Sequence, residues 1–273
     1  MQTKLLNEHS EKYLFARQLG SGKPLLILHG LLGSSDNWTT VARDLAEFYT
    51  VYALDLRNHG RSFHSDHFQY PVMADDVKLF IEQQGVEKVS LIGHSMGGKT
   101  AMQFAFLYPE RLHKLVVVDI APKAYPPHNL IAVDALLSLD LTSVSRLSQA
   151  DAQLAPAIPN KSERLSHLKN LKRGENGAYG WQVNLEAIRR NYPFISDAMT
   201  AGSYEKDCLF IRGVNSDYIQ DADWEDILEI FPRAQLETIP NAGHWIHIEA
   251  REVFVKTVLD HLASNFTQGP SNK

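Results

Sequence analysis

Gly93-His94-Ser95-Met96-Gly97 is the stretch on which the reading of this chain turns. An apolar run, Val89-Ser90-Leu91-Ile92, precedes it and reads as a buried strand. An apolar helical pattern follows from Ala101 to Leu107. Strand, tight G-x-S-x-G turn and helix together make the setting in which a serine hydroxyl is lifted above a sheet edge as a nucleophile. A turn this sharp leaves no room for a Cβ at its glycines, and its strained backbone needs permissive residues. The hydroxyl then stands at a helix N-terminus, where the dipole favours developing negative charge. The five residues alone also suit an ordinary glycine-rich turn, so the rest of the chain must decide.

Outward from this turn, strand and helix patterns alternate. Tyr13 to Gln18 reads as an early strand, and Leu25 to Leu28 as a buried parallel one that ends at His29-Gly30-Leu31-Leu32-Gly33. A helix pattern runs from Ser35 to Phe48, with Trp38, Val41, Leu45 and Phe48 at helical spacing. Val51 to Leu54 is the next strand, ending in Asp55-Leu56-Arg57-Asn58-His59-Gly60-Arg61-Ser62, and Met73 to Gln84 is helical. Leu115 to Val118 is a further buried strand, ending at Asp119. The β-α-β-α-β rhythm predicts a parallel sheet with right-handed crossovers. Catalytic groups in such a sheet belong at the carboxyl ends of strands, where His29, Asp55, Ser95 and Asp119 all stand.

The rhythm breaks at Pro122. From there to Ser203 the sequence offers helix patterns (Leu130–Leu139, Ser145–Leu154, Ser162–Leu171 and Leu185–Arg190) and no buried strand. Asn160 and Glu163 have N-cap and N3 spacing for the third of these. Strands resume at Leu209–Ile211 and Leu236–Ile239, around a helix from Trp224 to Phe231, and a last helix runs from Glu252 to Ala263. The tail, Gln268 to Lys273, is polar and expected to fray. The expected organisation is one α/β core, residues 1–121 and 204–273, interrupted by a helical cap at 122–203.

A serine hydroxyl needs a neutral imidazole to take its proton and an acid to hold that imidazole. In folds of this order the base follows the nucleophile and the acid along the chain. Of the twelve histidines, only His244, His247 and His261 lie beyond the resumed core. His261 sits within the last helix and His247 in an apolar stretch. His244 follows the flexible turn Asn241-Ala242-Gly243 after the last strand, so it is the expected base. Two N–H donors are needed for an oxyanion. The amide of Met96 is one candidate, and the amide of Leu31, in the loop after the first buried strand, is the other.

Bulk properties narrow the class. A 44% apolar and 22% charged composition is that of a globular protein, and a net charge of −5 argues against nucleic-acid or anionic-membrane partners. The densest basic stretch, Lys161 to Arg173, is interleaved with Glu163, Leu165 and Leu168 and reads as a solvated helix face. The lone cysteine, Cys208, reads as a buried, inert thiol. Met1 to Lys12 shows no apolar core of a signal and no Arg-rich amphipathic pattern, and no run approaches a membrane span. A reducing cytoplasm is therefore the expected compartment. His64/His67 and His244/His247 share H-x-x-H spacing, but no carboxylate or cysteine cluster completes a metal site, so no metal is expected.

On these motifs the chain resembles the α/β-hydrolase superfamily over nearly its whole length. His29-Gly30-Leu31-Leu32-Gly33-Ser34, Asp55 to Ser62, Gly93 to Lys99, Val118-Asp119-Ile120-Ala121-Pro122 and Trp181-Gln182-Val183-Asn184-Leu185 are similar to the bacterial YbfF-type esterases and ABHD11-like hydrolases. The resemblance implies a serine hydrolase of small-molecule acyl esters or thioesters, with a helical cap and no cofactor. It leaves open a carbon–carbon hydrolase or lyase using the same residues, and a ligand-binding homologue without catalysis. It also frames the acid. In this superfamily the acid commonly stands three residues after a glycine such as Gly213, a slot that Ser216 fills here, with Asp217 one place late. Some members take the acid from the strand end that Asp119 occupies. A carboxylate there is costly to bury without a partner, and the His244 Nδ1–H supplies one. Asp119 is therefore the expected acid, with Asp217 as the alternate. Arg57 to Gly60 reads as a hydrogen-bonded loop or a substrate contact. Trp181 and Asn184 are carried as candidate substrate-binding residues, docking of the cap being the other reading. A monomer or a homodimer fits equally.

Overall fold

The structure is a computed structural model and describes residues 13–175, 177–199 and 202–264. Seven strands form one sheet: β1 (Ala16–Leu19), β2 (Lys23–Leu28), β3 (Tyr49–Leu54), β4 (Val89–His94), β5 (Leu112–Val118), β8 (Cys208–Gly213) and β9 (Ala234–Ile239). Their order is β1-β3-β2-β4-β5-β8-β9. β1 runs antiparallel to β3, and every other pairing is parallel. The apolar strand runs explain this. Parallel strands covered by helices are buried on both faces, so they need continuous rather than alternating hydrophobicity.

Side chains of successive residues go to opposite faces. Leu26, Leu28, Leu91, Leu115, Val117 and Phe210 enter one core, with α2 (Tyr70–Gln83), α3 (Met96–Leu107) and α8 (Trp224–Ile230) over it. Leu25, Ile27, Ile92, Val116, Val118 and Ile211 enter the other, under α1 (Thr39–Leu45) and α9 (Arg251–Ala263). Each fully buried aliphatic side chain contributes roughly 1.5–3 kcal/mol. The Ser35–Phe48 pattern is shorter than its spacing suggests. It forms a 3-10 turn at Ser35–Trp38 and then α1, and Phe48 lies outside the helix and 60% exposed.

Residues 122–203 carry α4 (His128–Leu137), α5 (Leu147–Leu154), α6 (Lys161–Leu168) and α7 (Leu185–Ser196). They also carry a short antiparallel pair, β6 (Leu171–Arg173) and β7 (Tyr179–Trp181), which corrects the expectation of helices only. The pair is invisible to a search for buried strands because only Leu171 in it is buried. Asn160 caps α6 through Ser162 and Glu163 N–H groups. The Lys161–Arg173 stretch is not a wholly solvated face: Arg164 is buried, bound to Asp151 at 2.7 Å and to the Ile158 and Pro159 carbonyls. α7 continues six residues past Arg190 with Pro193 inside it. Buried Asn191, Tyr192 and Ile195 hold that last stretch against the missing hydrogen bond.

A buried ammonium ties the two ends of this segment to the core. Lys99, on α3 and 1% exposed, donates from Nζ to the Lys123 carbonyl at 2.8 Å and the Asp197 carbonyl at 2.5 Å. The rings of Tyr70 and Tyr125 lie 5.8 and 5.1 Å from Nζ. Burial nevertheless lowers the amine from an ordinary 10.5 to about 8, with Asp197 opposing the shift. Between pH 8 and 10.5 the unfolded chain binds the extra proton, so folding stability rises with pH across that window. Below pH 8 both states are protonated and the effect is flat. Thermal melts of wild type and Lys99→Met should therefore diverge on going from pH 8 to 10.5, wild type gaining up to about 3 kcal/mol relative to the variant. Parallel melting curves would refute the assignment.

Cys208 is free and buried, and burial pushes its thiol up to about 12. Among the described residues no helix is long and apolar enough to cross a membrane. Met1–Lys12 and the Gln268–Lys273 tail lie outside the described residues.

Candidate active site

Ser95 joins β4 to α3 with φ 52° and ψ −120°, a strained conformation for a residue with a side chain. Two glycines make the turn possible. A Cβ on Gly93 would stand 2.2 Å from the Gly97 carbonyl oxygen, and one on Gly97 2.4 Å from that of Leu28. α3 begins at Met96, directly after the serine, five residues earlier than the apolar pattern indicates. The Met96 amide is therefore a first-turn donor with no acceptor inside its own helix. Leu31 N–H likewise has no hydrogen-bond acceptor among the described residues.

Next to β4, β5 places Asp119 beside the serine. Ser95 N donates to the Val118 carbonyl at 3.0 Å, and Asp119 N to that of Ile211 at 2.8 Å. Asp119 is fully buried, with φ 52°. Its carboxylate accepts the His244 Nδ1–H at 2.7 Å on Oδ2, where the Ser216 hydroxyl also donates. Gly213 N lies 3.4 Å from Oδ1. Asp217 is exposed and makes no hydrogen bond among the described residues. Ser95 Oγ makes no hydrogen bond to His244 in this structure; such contacts are often long until a substrate is bound.

His244 is carried by the turn after β9, and the ring of Tyr218 stacks on its imidazole. That turn is locked to its neighbours. Asn215 N donates to the Ala242 carbonyl at 2.8 Å, and a Cβ on Gly213 would stand 2.4 Å from it. His94, the second residue of the Gly93–Gly97 turn, lies 2.8 Å through Nε2 from the His244 carbonyl, so the serine turn and the imidazole loop hold each other. Burial drives the His94 imidazole well below its ordinary range, so it is the neutral tautomer that donates from Nε2.

Two more buried histidines shape the Leu31 loop. His59 Nε2 accepts the Leu32 N–H at 3.1 Å while its Nδ1 meets the Arg57 carbonyl at 3.0 Å. His29 Nε2 accepts the Leu56 N–H at 3.0 Å, and its Nδ1 meets the Gly30 carbonyl at 2.8 Å. An accepting nitrogen requires a neutral ring, and burial supplies one, lowering His29 to about 4 and His59 to about 3. The Arg57–Gly60 stretch is thus a buried, hydrogen-bonded loop. Arg57 binds Asp76 through both Nε (2.5 Å) and Nη2 (2.8 Å). His247 stacks on Trp38 with ring centres 4.0 Å apart, and burial lowers it to about 3. Among the described residues no group of His, Cys, Asp and Glu is placed to hold a metal.

Asn184 is the N-cap of α7, accepting from Ala187 N at 3.1 Å. Its amide nitrogen reaches Asn58 Oδ1 at 3.2 Å, and its backbone N–H donates to the Asn58 carbonyl. Both ends of this side chain are engaged in seating α7 on the Arg57–Gly60 loop. Trp181 is half-buried against the larger core. Ser216 stands out in the sequence only by its place after Gly213, not as a donor to Asp119; Tyr218 and the tautomeric roles of His59 and His94 leave no mark in the sequence pattern.

A sheet of this order, with its strained serine turn after a middle strand and its acid and imidazole on the next loops, defines the α/β-hydrolase class of protein. The chain belongs to the α/β hydrolase fold family, whose model matches residues 23–156. It is 38% identical to the sn-1-specific diacylglycerol lipase ABHD11 of Xenopus laevis, over 89% of this chain and 80% of that protein. It is 32% identical to the esterase YbfF of Escherichia coli, over 90% of this chain and 96% of that one. A marine microorganism esterase superposes with a TM-score of 0.89 at 42% identity, covering 92% of this chain and 99% of its own.

Proposed function

We propose that this protein is a serine hydrolase that cleaves acyl esters or acyl thioesters through an acyl-enzyme on Ser95. The observation that carries the reading is the His244 Nδ1–Asp119 Oδ2 contact at 2.7 Å, made at the strand end beside the Ser95 turn. Asp119 holds the tautomer in which Nε2 is unprotonated. His244 Nε2 takes the Ser95 hydroxyl proton as Oγ attacks the carbonyl carbon. The same proton then goes to the departing alkoxide or thiolate. Water repeats the sequence on the acyl-enzyme, releasing the acid and restoring Ser95. The Leu31 and Met96 N–H groups serve the oxyanion, consistent with neither being engaged elsewhere.

Residues 122–203 act in this reading as a cap over the core that sets substrate size. Asn184 docks it, and Trp181 is the residue of the Trp181–Asn184 pair left to face an acyl chain. The names of the relatives, a diacylglycerol lipase and an esterase, support an ester substrate. A reducing cytoplasm suits the single free thiol. A panel of p-nitrophenyl esters and acyl-CoAs, run beside a vinylogous carbon–carbon cleavage substrate, tests the reading. Ester or thioester turnover with fluorophosphonate labelling of Ser95 is expected. Turnover of the carbon–carbon substrate alone would move the protein to that class, and no labelling with no turnover would leave a binding protein.

A further inference from the structure

Tyr218 does more than cover the imidazole. Its ring lies nearly parallel to that of His244, with centres 3.8 Å apart and 14° between planes. Three other contacts fix where that ring stands. Its N–H donates to Ser216 Oγ at 3.3 Å, and the Ser216 hydroxyl in turn donates to Asp119. Its carbonyl accepts from Tyr125 Oη at 2.6 Å, and the rings of Tyr125 and Tyr218 are 5.3 Å apart. Tyr125 belongs to the stretch that leads from β5 into the inserted helices, and its Oη also accepts from Ala121 N at 2.8 Å.

The chemistry of the site gives these contacts a task. The Cβ tether and one hydrogen bond from Nδ1 to Asp119 still leave the imidazole room to tip through small changes in its side-chain torsions. The ring must nevertheless keep Nε2 aimed at Ser95 while a proton moves out and back. A flat surface at van der Waals distance from one face resists that tipping. The π-face of a phenol also tolerates the imidazolium that forms, because it presents negative charge density to the cation.

We propose that Tyr218 is the positioning residue of the general base, holding the His244 imidazole in plane by stacking and linking that plane to the inserted segment through Tyr125. The inference rests on the assignment of His244 as base. It makes the orientation of the base sensitive to where the Tyr125 stretch sits, so that seating of the insertion and competence of the site are coupled.

The test compares wild type, Tyr218→Leu, Tyr218→Phe and Ser95→Ala on a p-nitrophenyl ester and in the rate of fluorophosphonate labelling. Tyr218→Leu should lower kcat and the labelling rate by about 10–30-fold with KM changed by less than about threefold. Tyr218→Phe keeps the ring and both main-chain contacts, so it should retain kcat to within about threefold. Rescue by Phe separates stacking from a merely structural role of the loop. Tyr218→Met fills similar space without a ring and replaces Tyr218→Leu if circular dichroism shows that variant misfolded. Wild-type kcat in Tyr218→Leu or Tyr218→Met, or equal losses in Tyr218→Phe and Tyr218→Leu, overturns the proposal. An active Ser95→Ala would instead overturn the hydrolase reading itself, so the two failures are distinguishable.

Discussion

Ser95→Ala is expected to lower kcat on a p-nitrophenyl ester by about 10⁴–10⁶ while leaving the protein folded. The size follows from what the hydroxyl does in the proposed mechanism. Without Oγ there is no acyl-enzyme, and only water, bound beside the Leu31 and Met96 amides, remains to attack the carbonyl. Two donors and a bound substrate still give some residual rate. The fold should not suffer, because the residue is 9% exposed and its hydroxyl holds neither His244 nor a cap contact. Alanine also meets the same backbone strain at φ 52° as serine does, so the turn is neither relieved nor worsened. Stability should therefore change by no more than about 0.5 kcal/mol. The measurement is steady-state turnover with intact-mass detection of the acyl or phosphonyl adduct. Retention of a tenth of wild-type turnover would remove Ser95 from the mechanism.

Why the serine turn could be read from sequence, and its surroundings only in part, has a physical basis. Gly93, Gly97 and the flanking apolar runs are local demands: a Cβ within 2.4 Å of a carbonyl is forbidden wherever the chain goes next. Buried parallel strands are equally local, since both faces of Leu25–Leu28 or Leu115–Val118 must be apolar. Helix ends were less legible. Met96, Gly97 and Gly98 carry no periodic signal, yet the helix starts there because the turn itself sets its first residue. The β6/β7 pair escaped for the opposite reason, being half-exposed and only three residues a strand. The partners of the site depend on distant pairings. Ser216 on Asp119, His59 on Leu32 and Tyr218 on His244 each join segments 26 or more residues apart, and no spacing rule announces them.

Those distant pairings also bear on which of the two acids serves the proposed mechanism. Asp119→Asn is expected to lower kcat by up to about 10⁴ with little change in KM, while Asp217→Asn should stay within about twofold of wild type. Asp119 is sealed from solvent at the end of β5. Its charge is held by the Ser216 hydroxyl, the His244 Nδ1–H and, more distantly, Gly213 N. Ser216, in the slot where a carboxylate would be the commoner residue, thus becomes a donor to a carboxylate one strand over. An amide at position 119 keeps the shape but can present N–H to Nδ1, which leaves the proton on Nε2, the nitrogen that must accept from Ser95. The loss should thus fall on the chemical step, with substrate affinity preserved. Asp217, exposed and without a hydrogen bond among the described residues, has no comparable hold on the ring. Stopped-flow acylation and steady-state kinetics of the two variants separate the assignments: the larger loss in Asp217→Asn would transfer the role to Asp217 and require the loop after β8 to rearrange when substrate binds.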